Sequence, residues 1–322
     1  MKNKLKNMMK SDNIFIKTIT NIGYKWFMRS KLVFFIRYRP LMNDKKYIRR
    51  TFKKRLNYDL NLDNPSTFNE KINWLKIYGY RDKYSDYVDK YKIKLITDKI
   101  LGSNYYLPLI GKWDNAKEID FGKMPSQFVL KTNNAGGIIV CYDKNEFNTK
   151  KAIKELNKLL KVDFSAKSRE RIYSKVEKKI IAEPFIGDFL TEYKNYCFNG
   201  KVLYTFVWKN IPDSEGRKPK TIFCGAYDRE WNRQDLELDW VTDYTIAEKP
   251  NKHSEMLFAA EKMSENIPFV RFDCFIKNNQ VIIGEMTFYP WGGFLRFKSK
   301  KWDLKFGEQL FLNRKSKIKE TN

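Results

Sequence analysis

The chain has 322 residues, with 63 Lys/Arg against 38 Asp/Glu, a formal net charge of +25 and a single histidine, His253. One histidine leaves Ser-His-Asp and Cys-His catalysis without material. Four widely separated cysteines (Cys141, Cys197, Cys224, Cys274) with no CxxC pair exclude a zinc ribbon and read as isolated thiols in a reducing compartment. The charge is uneven: residues 1–55 hold 17 Lys/Arg and 2 Asp/Glu, residues 296–322 hold 9 and 3, and the body between them is nearly neutral.

Residues 14–42 interleave cations (Lys17, Lys25, Arg29, Lys31, Arg37) with aromatics. No run approaches the ~20 apolar residues of a membrane-spanning helix, and LVFFI (32–36) is too short a core for a cleavable signal. Positive charge mixed with Phe, Trp and Leu suits a helix lying on anionic lipid. A helix packing that apolar face on the body, or a nucleic-acid arm without a recognisable motif, are the other readings. In chain order, DNPSTFNEKINWLKIY (63–78) predicts a turn and a helix, with Thr67 as N-cap, Glu70 completing a capping box, and Phe68, Ile72 and Leu75 on one face. Residues 86–101 read as one further helix. FVLKTNNAGG (128–137) reads as a buried strand ending at Lys131, then a glycine-bearing loop. Residues 148–164 give an amphipathic helix with Ile153, Leu156 and Leu160 inward, and SRERIYSKVEKK (168–179) reads as polar and exposed. IIAEPFIG (180–187) is a strand ending at Glu183 in a hinge. Asn199–Gly200 marks a hairpin within 196–209. Residues 251–267 read as a helix, with His253 on a solvated loop or helix start.

The stretch RFDCFIKNNQVIIGEMTFYPWGG (271–293) carries most of the chemistry. FVRFDCFI and VIIGEMTF alternate as strands about the turn KNNQ. Arg271 and Asp273 share one face of the first strand and Glu285 and Thr287 one face of the second, and folding at Asn278–Asn279 sets Asp273 opposite or nearly opposite Glu285. Facing carboxylates repel. A divalent cation between them reverses that sign, and hard cations such as Mg²⁺ take carboxylate and phosphate oxygens. An arginine alongside suits a phosphate. An ordinary hairpin with a charged solvent face has the same pattern. Upstream, Lys131 at a strand end can meet a phosphate as a point charge under backbone N–H groups of the loop Asn133–Gly137, although a surface lysine before a plain turn reads alike. GxxxxGK[ST] is absent. Trp291, Gly292 and Gly293 form either a wall of an acceptor site or a tight turn.

Taken together, NPSTFNEKINWLK (64–76), DYVDKY (86–91), LPLIGKWDNAKEIDF (107–121), FVLKTNNAGG, IIAEPF, EYKNYCFNGK (192–201), PFVRFDCF (268–275) and GEMTFYP (284–290) resemble, in that order, the TupA-like ATP-grasp family of bacterial surface-polysaccharide loci. The resemblance covers about 60 to 310. It implies an α+β ATP-grasp fold in which two lobes with antiparallel sheets enclose the nucleotide. A basic segment (1–55) would precede an N-terminal lobe (56–125) and the ATP-grasp lobes (126–185 and 186–310), with a frayed basic tail at 311–322. It further implies ATP and Mg²⁺ as cofactors: Lys131, Asn133, Asn134, Gly136 and Gly137 at the phosphates, Glu183 at the adenine–ribose hinge, and Asp273, Glu285 and Thr287 at the metal. Arg271 and Lys194 would face the transferring phosphoryl group. Thr287 stands where many relatives carry Asn, and Asn134 where the family pattern has His. The implied reaction is carboxylate–amine ligation through an acyl phosphate. Its partners would be a polysaccharide or lipid-linked saccharide precursor and an amino acid or small amine, with no nucleic acid, in the cytoplasm or at the inner face of the plasma membrane, held there by residues 1–55. The rival readings are a glycosyltransferase, which the missing DxD motif disfavours, and a non-catalytic membrane-surface protein with a decayed ATP site.

Overall fold

The computed structural model describes residues 43–134, 136–212, 219–241 and 244–313. The expected lipid-facing stretch through residue 42 and the tail from 314 onward lie outside the described residues. The chain divides into a unit ending at Ile48 and a body beginning at Arg49. Helix α1 (Asp44–Leu56) ends on Lys53, Lys54 and Arg55, cations that complement the helix dipole.

Helix α2 (Phe68–Tyr78) has the expected capping box: Thr67 accepts from the Glu70 backbone, and Glu70 reaches back to the Thr67 backbone. Phe68 and Ile72 are fully buried. The single helix expected over 86–101 is instead two, α3 (Tyr84–Val88) and α4 (Lys92–Leu101). Asp89 makes the break, because its carboxylate accepts from the backbones of Tyr91 and Lys92 in place of the helix ladder. The Lys90 N–H is drawn instead to the Asn133 carbonyl at 3.0 Å.

A four-stranded antiparallel sheet follows, built from β1 (Gly111–Trp113), β2 (Phe128–Thr132), β3 (Ile138–Cys141) and β4 (Ile180–Pro184) in the order β1-β4-β2-β3. Period-two alternation divides its residues between two faces. Phe128, Leu130, Cys141, Ile180 and Ala182 join a core with Leu156 of α5 (Thr149–Leu160), against which Ile153 and Leu160 also pack. Val129, Lys131 and Glu183 take the opposite face. After the short α6 (Phe164–Ser168), the stretch expected to be exposed is partly interior: Arg169, Ile172 and Val176 are buried. Its apolar residues are too sparse to show a period, and tertiary packing decides their burial.

The second antiparallel sheet is ordered β7-β6-β5-β8-β9, from β5 (Thr191–Phe198), β6 (Lys201–Pro212), β7 (Pro219–Tyr227), β8 (Phe269–Lys277) and β9 (Gln280–Thr287). Both expected hairpin bends hold. Asn199 and Gly200 have φ of 50° and 79°, and Asn278 and Asn279 have 49° and 59°, the left-handed pairs that tight hairpin turns need. On one face of this sheet Tyr196, Phe198 and Phe269 join Phe68 and Phe306 in an aromatic core. Helix α7 (His253–Met263) lies near the other face, where Cys197 Sγ reaches the Ala260 carbonyl, and α8 (Lys300–Gln309) carries Phe306. His253 does open a helix, yet it is 5% exposed and sits edge-on to Trp231 at 5.1 Å. Its imidazole is absorbed as an aromatic surface rather than solvated. All four cysteines are buried and unbridged.

Candidate nucleotide and phosphoryl-transfer site

The facing sides of the two sheets enclose a cavity of about 270 Å³. Its apolar walls are Val129, Ile138 and Val140 from the first sheet and Phe275 and Ile283 from the second, closed at one end by the hinge Pro184–Leu190. Lys90, Lys94, Lys131 and Glu183 make it polar. The alternation that sends Phe128 and Leu130 into the core turns Val129 and Lys131 to the cavity. The β2–β4 register then pairs Val129 with Glu183, one step from Lys131. Glu183 is 4% exposed and bridges two cations, Lys131 on one oxygen and Lys94 on the other at 2.7 Å. Burial alone would raise this carboxyl; Lys131 and Lys94 outweigh it and hold it below its usual range. Lys94, lowered by burial, also donates to the Leu107 carbonyl at 2.8 Å. Sequence reading missed Lys90 and Lys94. Their signal is a lysine pair four residues apart beside Ile93 and Thr97, and a chain this rich in lysine hides it.

On the second sheet the register sets Asp273 opposite Glu285, Arg271 opposite Thr287 and Lys194 opposite Asp273. The ladder shifts between Asp273 and Cys274, a bulge of the kind that re-aims side chains. Arg271 grips Asp273 with two hydrogen bonds, of 2.6 Å and 2.5 Å, and lies 3.4 Å from Glu285 and 3.2 Å from the Thr287 hydroxyl. Thr287 donates to Glu285 at 3.0 Å. Lys194 bridges Glu192 at 2.7 Å and Asp273 at 3.2 Å. Lys90, lowered by burial, stands 3.8 Å from the other Glu285 oxygen and so links this cluster to the cavity. Asp273 is fully buried, whereas the Glu285 side chain keeps 42% exposure. Burial would raise Glu285; Lys90, Arg271 and Lys194 outweigh it and bring the carboxyl down to about 2. The expected residues Lys131, Glu183, Lys194, Arg271, Asp273, Glu285 and Thr287 therefore form two neighbouring charged clusters beside one cavity.

The loop residues divide. The Asn133 side chain clamps the chain before β4, donating to the Glu177 carbonyl and accepting from the Lys179 N–H, each at 2.8 Å. Asn134 is buried with its Oδ1 lacking a hydrogen-bond partner, an acceptor left over beside Lys131 on the same strand–loop turn. Gly136 is open on its Cβ side, and Gly137 has φ of 125° with Leu159 so close that a side chain would be strained on both counts.

Mg²⁺ fits this donor set in kind. Asp273, Glu285 and the Thr287 hydroxyl offer oxygen only. Among the described residues no group of three or more His, Cys, Asp or Glu could hold a metal ion, so phosphate and water would complete the coordination of a two-carboxylate site. The exposed Glu285 is the accessible ligand. For Asp273 to share in the site, the Arg271 fork must release an oxygen.

Similar solved structures include the D-alanine–D-alanine ligase from Bacillus anthracis, at 16% identity and a TM-score of 0.38, covering 62% of this chain and 56% of that one. The D-alanine–D-alanine ligase from Helicobacter pylori aligns at 17% and 0.39, covering 76% and 70%. The L-amino acid ligase from Bacillus licheniformis aligns at 12% and 0.44, covering 77% and 56%. The chain thus spans little more than half the length of two of these three. No curated protein sequence matches it. The sequence model of one family, TupA-like ATPgrasp, matches residues 70–311, a span that holds both sheets and every residue of the two charged clusters. With most of its length and its whole candidate site inside that match, the chain belongs to the TupA-like ATP-grasp family and has that family's α+β fold.

Proposed function

We propose that the protein is an ATP-dependent carboxylate–amine ligase. The observation that carries this reading is the cavity between the sheets, apolar around the hinge and cationic at Lys90 and Lys131, with Arg271, Lys194 and Glu285 beyond the cationic end. That polarity suits a purine at the hinge and phosphates at the lysines. Phosphoryl transfer needs positioning and charge neutralisation more than acid–base residues, in keeping with a single histidine that is buried elsewhere.

In this reading a substrate carboxylate oxygen attacks the γ-phosphorus. The bond to the β-phosphate oxygen breaks, and ADP leaves an acyl phosphate. An amine nitrogen then attacks the acyl carbon, the C–O bond breaks, and phosphate departs as the amine gives up a proton to it or to water. Arg271 and Lys194 neutralise the transferring group, and Lys131 and Lys90 hold the nucleotide phosphates. Mg²⁺, held through Glu285 and Asp273 with Thr287 beside them, would supply further neutralisation of the phosphate oxygens. The acceptor would be the carboxylate of a uronic acid or amino acid on a surface-polysaccharide precursor, including a lipid-linked one. No described helix is long and apolar enough to cross a membrane. Residues 1–55 would dock the enzyme on an anionic inner leaflet, and deleting residues 1–40 would then abolish binding to anionic liposomes.

The test is Mg²⁺-dependent ADP release in the presence of uronic-acid glycans and a pool of amino acids and amines. Release that requires both carboxylate and amine and is lost in Glu285→Gln supports a ligase. If calorimetry detects no Mg·ATP binding to the wild type, the reading fails. Hydrolysis of a sugar nucleotide without ATP would establish the glycosyltransferase instead.

A further inference from the structure

Four residues beyond Thr287 the backbone enters the left-handed region at three successive positions, with φ of 54° at Trp291, 68° at Gly292 and 81° at Gly293. Glycine adopts this conformation freely, but an indole there carries a strain cost. Three buried polar residues of α2, spaced i, i+4 and i+7, hold the turn. Lys76 Nζ donates to the Gly292 carbonyl at 3.0 Å and Asn73 Nδ2 to the Gly293 carbonyl at 2.6 Å. Asn69 both donates to and accepts from the Leu295 backbone, at 2.8 Å and 2.7 Å. Gly293 lies so close to Asn73 that a Cβ would stand 2.8 Å from its Nδ2. A structural tryptophan held this firmly belongs in the core. Trp291 instead keeps 47% exposure, and its one ring partner among the described residues is Trp240, at 4.7 Å and 60°. Arg296, paired with Asp239 at 2.9 Å, stands 5.8 Å above the Trp240 ring.

Resting on the ligase reading above, we propose that Trp291 and Trp240 form a platform for a pyranose ring of the acceptor, a carboxylated saccharide whose acid group reaches Arg271 and Lys194. Indole faces attract the polarised C–H groups on the flat side of a sugar, while its hydroxyls stay in water. Two indoles meeting at an angle give the ring a corner as well as a face. Four residues of chain span at most about 14 Å, so a short oligosaccharide on the platform can reach the Thr287 end of the phosphoryl-transfer cluster. An anionic sugar would meet Arg296, Arg271 and Lys194 there by exchanging its carboxylate for ones they now share, Asp239, Asp273 and Glu192.

The experiment measures binding of trigalacturonate, maltotriose and triglutamate to the full-length protein, by tryptophan fluorescence and calorimetry. It compares wild type with Trp291→Asn, Trp291→Tyr and Trp240→Ala, each also titrated with Mg·ATP. Asn tolerates the left-handed backbone, so Trp291→Asn should melt no lower than wild type. The expected result is that trigalacturonate binds wild type best, weakens about tenfold or more in Trp291→Asn and Trp240→Ala, and recovers most of that loss in Trp291→Tyr, while Mg·ATP affinity stays constant. Unchanged trigalacturonate affinity in Trp291→Asn overturns the platform. So does a wild type that prefers triglutamate or binds no saccharide. Failure of the ligase reading shows separately, as absent Mg·ATP binding in the wild type.

Discussion

Each sheet brings one carboxylate to the neighbourhood of the cavity, and the two are held differently. Glu183 on the four-stranded sheet is 4% exposed, with each oxygen committed to a lysine. Glu285 on the five-stranded sheet also sits among cations, at 3.4 Å from Arg271 and 3.8 Å from Lys90, but keeps 42% of its side chain in solvent. Both carboxyls are held below their usual range by neighbouring positive charge working against burial. Glu183 has no oxygen left for a ligand, although its two lysines together carry one positive charge more than it neutralises. Glu285, partly in solvent and with both cations 3.4 Å or more away, can still turn an oxygen to a cation. Similar electrostatics therefore leave one carboxylate committed to its partners and the other accessible.

Neutralising each carboxylate in turn is the sharpest way to break this comparison. Glu285→Gln should lower turnover by on the order of 10²–10³-fold, the scale on which lost charge stabilisation costs, because the Mg²⁺ that Glu285 would hold is what neutralises the phosphate oxygens. It should cost less stability than Glu183→Gln, because Glu285 keeps 42% of its side chain in solvent and Arg271 still has Asp273 when Glu285 is neutral. Glu183→Gln should do the reverse in stability: Lys94 and Lys131 would be left buried without a counter-charge, at a cost of roughly 3–5 kcal/mol. Urea denaturation and ADP-release rates on the two variants separate the cases. If Glu285→Gln destabilises as much as Glu183→Gln, both clusters are structural and the assignment of chemistry to the five-stranded sheet fails.

A second substitution tests whether the loop after β2 is scaffold or ligand. Asn133→Ala removes two side-chain hydrogen bonds, to Glu177 and Lys179, and leaves a backbone donor and acceptor without partners at a buried position. The expected loss is about 2 kcal/mol, visible as a lower melting temperature. Asn134→Ala should cost less, since the Oδ1 it removes has no partner to lose. It should instead weaken protection by Mg·ATP against thermal unfolding, because a ligand that binds only the folded state loses part of its hold. Equal melting temperatures for the two variants would erase the distinction.

The same contrast explains what was legible beforehand. The five-stranded sheet announces its site because strand alternation and an Asn-Asn turn place Asp273 and Glu285 nearly opposite, but the exact pairing of Asp273 with Glu285 and Arg271 with Thr287 depends on the bulge after Asp273 that skips Gly284, which residue spacing does not show. The capping box at Thr67 and Glu70 and the bend at Asn199–Gly200 are equally local. The four-stranded sheet takes two of its cations from a distant helix pair. Lys90 and Lys94 reach the cavity only because Asp89 breaks the helix and the Lys90 N–H bonds Asn133 more than forty residues away. No window of sequence contains that contact, so these two lysines look like the solvated ones around them. Residues 168–179 fail for the same reason, with Ile172 and Val176 buried by contacts that their polar neighbours do not advertise. His253 read as solvated because its surroundings in sequence are polar, whereas its neighbour in space is Trp231.

The smallest expected effect uses that histidine to separate the two sheets by pH. Glu183 and Glu285 have folded values below the unfolded ones. Their stabilising contribution is present above the unfolded carboxyl range, about 4.3, and is lost only as pH falls through the folded values. Neither changes stability between pH 7.5 and 5.5. His253, on the helix that packs near the five-stranded sheet, is lowered first by burial and then by Lys249 and Arg229. The unfolded chain therefore takes up its proton first. The stability gained by keeping the imidazole neutral is complete above about 6.5 and declines as pH drops below it toward the folded value. His253→Phe keeps an edge against Trp231 and gives up no hydrogen bond at Nε2, which has none. The variant should lose less melting temperature than wild type between pH 7.5 and 5.5. Equal losses would mean that the imidazole gains solvent on protonation and that the packing around α7 is looser than its burial indicates.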